Sequence, residues 1–242
     1  MNIKAIIAYN GAKFYGSQLQ PKYETVASFL YDGLKKINIE STTIHFSGRT
    51  DKGVHATYQV INFEIPDIWE DRLPHFQSIL SRTLPNSIKI LSLKQVDNEF
   101  HARYSAKKRV YRYLLSTNPT TPFNDDFVTY YPCIDILSIK SAIKELIGTY
   151  DFEFFAKGNP QIKTTIRTMY DARIYEYNGM YVFKFEANGF LRSQIRVMVG
   201  FLLAISDKKL TIEDLKLQLQ KKVLVFNKPA PCNGLYLAKV KY

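Results

Sequence analysis

The chain has 242 residues, of which 46% are hydrophobic and 23% charged, enough apolar content for one large or two modest folded domains and too much for a disordered chain. Thirty-three Lys and Arg face 22 Asp and Glu, a net charge of +11, which favours a polyanionic partner, nucleic acid before an anionic membrane surface. Two distant cysteines, Cys133 and Cys232, and four histidines without HExxH-type spacing offer neither a disulfide framework nor a zinc motif.

In chain order, a strand is expected over 3–9, and the spacing of Val26, Phe29, Leu30, Leu34 and Ile37 predicts a helix over 25–37. Further strands are expected at 42–47, 57–64, 88–96 and 109–116. Ile139, Ala142, Ile143, Leu146 and Ile147 form one stripe of a helix over 139–147. Tyr170, Ala172 and Ile174 alternate with more polar residues, as do Tyr181, Phe183, Phe185 and Ala187, and Asn178-Gly179 between the two runs signals a hairpin. The segment 190–206 is apolar almost all round from Ile195 onward and reads as a buried helix. Thr211 with Asp214 resembles the capping box of a last helix that carries Leu215 and Leu219. Strands outnumber helices and come partly as hairpins, so the fold class is α+β with a largely antiparallel sheet. Tyr9-Asn10-Gly11 echoes Tyr177-Asn178-Gly179 and suggests two similar subdomains, 1–104 and 105–242, forming one continuous unit. The longest apolar run, 197–205, is about half of the ~20 residues that span a bilayer, and the N-terminus is too short in apolar residues for a signal peptide. A soluble, reduced, cytoplasmic protein is expected, with both cysteines buried as small hydrophobes.

Positive charge is concentrated. Between Glu99 and Asp125 there is no acid, yet Arg103, Lys107, Lys108, Arg109 and Arg112 fall there, interleaved with Tyr104, Tyr111 and Tyr113. A second acid-free window, 154–170, carries Lys157, Lys163 and Arg167. Cations hold phosphates and aromatic faces stack on unpaired bases, so this composition suits a reader of single-stranded or loop RNA; it also suits a solvated strand with its tyrosines in the core. On a strand, Tyr111 and Tyr113 share a face, one filling the core and the other reaching the rim of a cleft.

The candidate catalytic group is Asp51, within HFSGRTDKGVHA (45–56) and flanked by Arg49, Lys52 and His55. Flanking cations suit an anionic carboxylate, which can serve as a nucleophile; Asp-Lys-Gly also suits an ordinary turn. Arg196 lies in the apolar helix, where a buried guanidinium needs a carboxylate or a substrate phosphate as partner, with Asp51 the candidate; the alternatives are pairing with a structural acid or reaching the surface.

Together these segments resemble the TruA family of tRNA pseudouridine synthases nearly end to end. The resemblance is carried by YNGAKFYGSQLQ (9–20) followed by Thr25-Val26, SGRTDKGVHA (47–56), FHARYSAKKRVYRYLL (100–115), YDF (150–152), FEANGFLRSQIRVMVG (185–200) and APCNGLYL (230–237). It implies the pseudouridine synthase fold, a largely antiparallel central sheet built from two ferredoxin-like subdomains with helices on one side. It further implies Asp51 as the catalytic aspartate, Tyr111 as the residue stacking on the target uracil, Arg196 as the partner of the aspartate and Arg49 as an aid to admitting the flipped nucleotide. His55, Arg103, Lys107, Lys108 and Arg109 are further candidates for RNA contact. Asn10, Ser17 and Gln194-Ile195 stand where the family has Asp, Trp and Met-Val. The implied reaction isomerises uridine at positions 38, 39 and 40 of the tRNA anticodon arm, without metal or cofactor, in a homodimer and away from any membrane. Asp51 attacks either the ribose or the ring. A non-catalytic RNA-binding module and a synthase for a different RNA are the alternatives.

Overall fold

A computed structural model describes residues 1–158 and 163–242. Residues 159–162 of the second basic window lie outside the described residues. In chain order the elements are β1 (Asn2–Tyr9), α1 (Val26–Lys35), β2 (His45–Phe46), β3 (His55–Glu64), α2 (Leu73–Thr83), β4 (Ile88–Gln95), β5 (Lys108–Ser116), β6 (Thr129–Tyr130), α3 (Ile136–Ala142), β7 (Gly148–Asp151), β8 (Ile166–Tyr177), β9 (Met180–Ala187), α4 (Gln194–Ser206), α5 (Ile212–Leu219) and β10 (Leu235–Lys241). The strands are mostly antiparallel and mixed with helices, so the α+β expectation holds. Among the described residues, no helix is long and apolar enough to cross a membrane.

The chain divides into two compact units, one of Met1–Lys107 with Tyr236–Tyr242, the other of Lys108–Leu235. In the first unit β1 lies between β3 and β4, antiparallel to both, while β10 runs parallel to β3 and the two-residue β2 pairs with β3. Ile3, Ala5 and Ile7 of β1 are buried on one face with Ile61 and Phe63 of β3, the period-2 signature of a sheet with one covered side. Helix α1 buries Val26, Leu30 and Leu34, and α2 buries Phe76 and Leu80. Thr25 starts α1 through a capping box with Ser28, which satisfies two of the orphan donors at the helix start.

In the second unit β9 lies between β5 and β8, antiparallel to both, with β7 beyond β8 and β6 parallel to β5. The hairpin at Asn178-Gly179 forms as expected: both residues have positive φ, 49° and 71°, as a primed two-residue turn requires. Thr211 and Asp214 make the expected capping box. A chain of rings from Phe152 through Phe155 and Phe201 to Phe226, with centroids 5.7–6.0 Å apart, fills the core under α4. Gly200 lets the chain pass over α4, because a Cβ there would stand 2.4 Å from the Lys228 carbonyl oxygen.

Several expectations need correction. Helix α4 begins at Gln194, not near Phe190, because Ser193 sits in the left-handed region at φ 60° and the Gln194 side chain turns back to accept from Leu191 N–H at 2.8 Å. Asn10-Gly11 is not a second hairpin; the Asn10 side chain accepts from Ala12 N–H and opens a short 3-10 turn, so the echo between the halves has no structural counterpart there. Ile147 is exposed, because the helical stripe tightens to a 3-10 turn that ends at Leu146. Alternation along β9 fails as a burial pattern, since a strand paired on both sides also buries Val182 and Glu186. Neither cysteine is buried: Cys133, in the connector between β6 and α3, is exposed, and Cys232 is partly exposed.

Candidate active site

The segment between β2 and β3 is a turn. Val54 N–H donates to the Asp51 carbonyl at 3.1 Å, and Gly53 takes φ +78°, a conformation that costs a side-chain-bearing residue steric strain. The turn reading of Asp51 holds, and the residue that opens the turn is half-buried between the exposed Arg49 and Lys52.

Beneath this rim the loop rests on buried polar groups. Ser17 N–H donates to the Thr50 carbonyl at 3.1 Å, and Thr50 N–H donates to Ser17 Oγ at 2.9 Å. The Tyr9 hydroxyl lies 2.9 Å from Thr50 Oγ1. The Gln59 side chain donates to the Gly48 carbonyl at 2.9 Å and accepts from Ser47 Oγ at 2.5 Å. Gly11 N–H donates to His55 Nδ1 at 3.0 Å, and the His55 ring stacks on Tyr236 with centroids 4.6 Å apart. No buried side-chain nitrogen or oxygen among the described residues lacks a partner. An unmet buried polar group costs about 1–3 kcal/mol, so satisfaction throughout holds one loop conformation against its alternatives. Burial pushes the Tyr9 phenol up to about 12, against the weaker opposing effect of its bonds to Thr50 and Gln59; it stays neutral and serves as a strut.

His55 is 1% exposed, so the expectation that it touches RNA is corrected: the ring belongs to the loop's foundation. Tyr9 and Gln59 were missed as parts of the site because their contacts with the loop span 41 and 11 residues, which no local pattern reveals.

In the second unit, Tyr111 and Tyr113 lie on one face of β5. Tyr113 is fully buried, its hydroxyl 2.7 Å from Thr129 Oγ1 and 3.1 Å from the Pro231 carbonyl. Burial pushes its phenol up, with Thr129 and the Arg196 charge opposing. Tyr111 keeps a small exposed margin and meets Phe190 edge to face, centroids 5.2 Å apart. Arg196 falls in the first turn of α4 and is partly exposed, as follows from the helix starting at Gln194. Its Nε donates to the Ala230 carbonyl at 2.6 Å, and Ala230 N–H donates to the Arg196 carbonyl at 2.8 Å. This pair clasps the 228–230 segment that Gly200 admits.

The basic candidates are not all free surface. Arg103 and Lys107 are exposed on the first unit, with Arg103 5.8 Å from the Tyr104 ring centroid. Lys108 pairs with the buried Glu186 at 3.4 Å, and its Nζ lies 4.2 Å from the centroid of the Tyr170 ring. Arg109 donates to the Asn188 carbonyl at 2.8 Å. Lys108 thus neutralises a carboxylate that a doubly paired strand buries, a structural use of charge. Among the described residues, no three His, Cys, Asp or Glu side chains gather as a metal site.

A family profile described as tRNA pseudouridine synthase matches residues 5–105 and 142–242. Asp51 and Arg196 fall inside the matched segments, and Tyr111 falls between them. A protein from Wolinella succinogenes named tRNA pseudouridine synthase A is 41% identical over 238 residues, 98% of this chain and 93% of the relative. Proteins of the same name from Campylobacter jejuni subsp. doylei, 36% identical over all of both chains, and from Streptococcus agalactiae, 38% identical over 99% of this chain and 94% of the relative, are similar to it too.

Proposed function

Since the chain belongs to the tRNA pseudouridine synthase family, we propose that it isomerises uridines 38, 39 and 40 in the anticodon stem-loop of tRNA through the carboxylate of Asp51. The enzyme is an isomerase that converts uridine to pseudouridine. The bond from the ribose anomeric carbon to N1 breaks, the uracil turns, and a bond from the same carbon to C5 forms. The C5 proton leaves and N1 gains one, so atoms and electrons balance without an external oxidant or reductant. A carboxylate that takes up and then releases the reacting carbon divides one hard displacement into two easier ones.

The observation that carries the proposal is the Asp51 turn itself, a half-buried carboxylate between two exposed cations on a loop whose buried polar groups are all engaged. A target uridine must leave its stack to reach such a group, and the energy for this comes from contacts to the flipped nucleotide and its phosphates. Arg49 is suited to those phosphates. Tyr111 is assigned the face of the uracil, and Arg196 a positive charge for the reacting anion, on their match to the family's motifs. A homodimer and a cytoplasmic setting rest on the same likeness.

Mapping pseudouridine at nucleotide resolution, in tRNA treated with the purified protein, tests this reading. Product at positions 38, 39 and 40 is expected; product confined to other positions would overturn the substrate assignment.

A further inference from the structure

Beside the Asp51 turn, the segment 15–24 carries an aromatic pair in the open. Tyr15 and Tyr23 stack with centroids 4.5 Å apart and planes 21° from parallel, yet the residues are 42% and 51% exposed. Lys52, the residue after Asp51, places its Nζ 3.9 Å from the centroid of Tyr15. Rings that only fill a core are covered, and these are not.

The backbone is built to hold them so. Tyr23 N–H donates to the Gln20 carbonyl at 3.4 Å, closing a turn in which Pro21 is followed by Lys22 at φ 68°. That position favours Gly, and a lysine held there is strained. Tyr15 N–H donates to the Glu24 carbonyl at 2.9 Å, which fixes the two rings side by side. Between them in sequence, Ser17 is tied to Thr50, so the aromatic pair and the carboxylate share one rigid support. Lys22 and Lys52 are exposed, as is the acid Glu24.

We propose that Tyr23, backed by Tyr15 and Lys52, is a stacking site for an unpaired RNA nucleotide that neighbours the extruded uridine, with Lys52 taking an adjacent phosphate. An exposed, pre-stacked aromatic face with a cation beside it is the surface that unpaired bases recognise without a sequence code. When a uridine leaves the helix its neighbour loses a stacking partner, and the open face of Tyr23 replaces it. This inference rests on the tRNA pseudouridine synthase reading and adds to it a contact that selects for unpaired flanking sequence.

The test uses the full-length protein and an anticodon-type stem-loop RNA with 2-aminopurine on either side of the target uridine. Wild type is expected to quench one of the two probes. Tyr23→Ala and Tyr23→Leu are expected to abolish the quench and raise KM about tenfold or more, with kcat at saturating RNA kept, while Tyr23→Phe behaves as wild type. Lys52→Gln is expected to lower the salt slope of binding by about one. Unchanged KM and quenching in Tyr23→Ala, or an equal loss in Tyr23→Phe, would overturn the proposal. So would variants that alter the sedimentation coefficient and leave RNA affinity intact, since the face would then belong to a protein interface. Wild-type protein that binds and quenches but forms no pseudouridine would sink the catalytic reading and leave the stacking site standing.

Discussion

Ser17 and Thr50 hold each other in both directions, Ser17 N–H on the Thr50 carbonyl and Thr50 N–H on Ser17 Oγ, one residue before the catalytic candidate. The bond at Ser17 Oγ is the one a single substitution removes. Ser17→Ala leaves the buried Thr50 N–H without its acceptor, at about 1–3 kcal/mol. The expected outcome is a lower melting temperature, together with a fall in kcat larger than any change in RNA affinity, because the loop loses its fixed conformation while the exposed cations remain. Thermal melts and steady-state kinetics check it; a variant as active and as stable as wild type would show that this brace is dispensable.

Tyr9 gives the support a signature in alkaline solution. Burial raises its phenol from the usual 10.0 to about 12, so the unfolded chain ionises first as the pH rises. The stability is fully present below pH 10 and is lost as the pH approaches about 12, at a slope near 1.4 kcal/mol per pH unit for the one proton involved. Tyr9→Phe should be less stable at neutral pH, having lost the bond to Thr50, and should decline less steeply than wild type above pH 10. Denaturant titrations of both proteins across that range measure the difference in slope.

The two tyrosines of β5 should separate by phenotype. Tyr113→Phe gives up the contacts of its hydroxyl with Thr129 and Pro231 and is expected to lower stability by about 1–3 kcal/mol, with turnover per folded molecule kept. Tyr111→Phe keeps the ring proposed to face the base and is expected to retain stability and RNA affinity while losing turnover, as loss of a group assisting proton removal from the ring carbon would cause. Single-turnover rates alongside thermal melts distinguish the two. Unchanged turnover in Tyr111→Phe would restrict that residue to stacking.

Much of the second unit was legible because its signals are local. Asn178-Gly179 and the pair Thr211 and Asp214 each specify a few bonds within four residues, and they form as expected. The strands expected in the first unit also form, although β2 shrinks to His45–Phe46. Helix α2 went unforeseen because only Phe76 and Leu80 of its residues are buried, too sparse a stripe to show in the sequence. The return of 236–242 to the first unit comes from β10 pairing with the start of β3, a contact too distant in sequence for any window to show. At the site, Asp51 was recognisable from its motif, whereas its foundation of Tyr9, Ser17, Gln59 and His55 was not. Their sequence positions gave Tyr9, Ser17 and Gln59 no supporting role and cast His55 as a contact to RNA, and only the fold brings them under the turn.

The central claim is that the Asp51 carboxylate performs the chemistry, and tritium release from tRNA labelled at uridine C5 tests it most directly. Wild-type protein is expected to release the label over repeated turnovers, and Asp51→Asn to bind the same tRNA with comparable affinity and release none. Label released by Asp51→Asn at a rate near that of wild type would contradict the account.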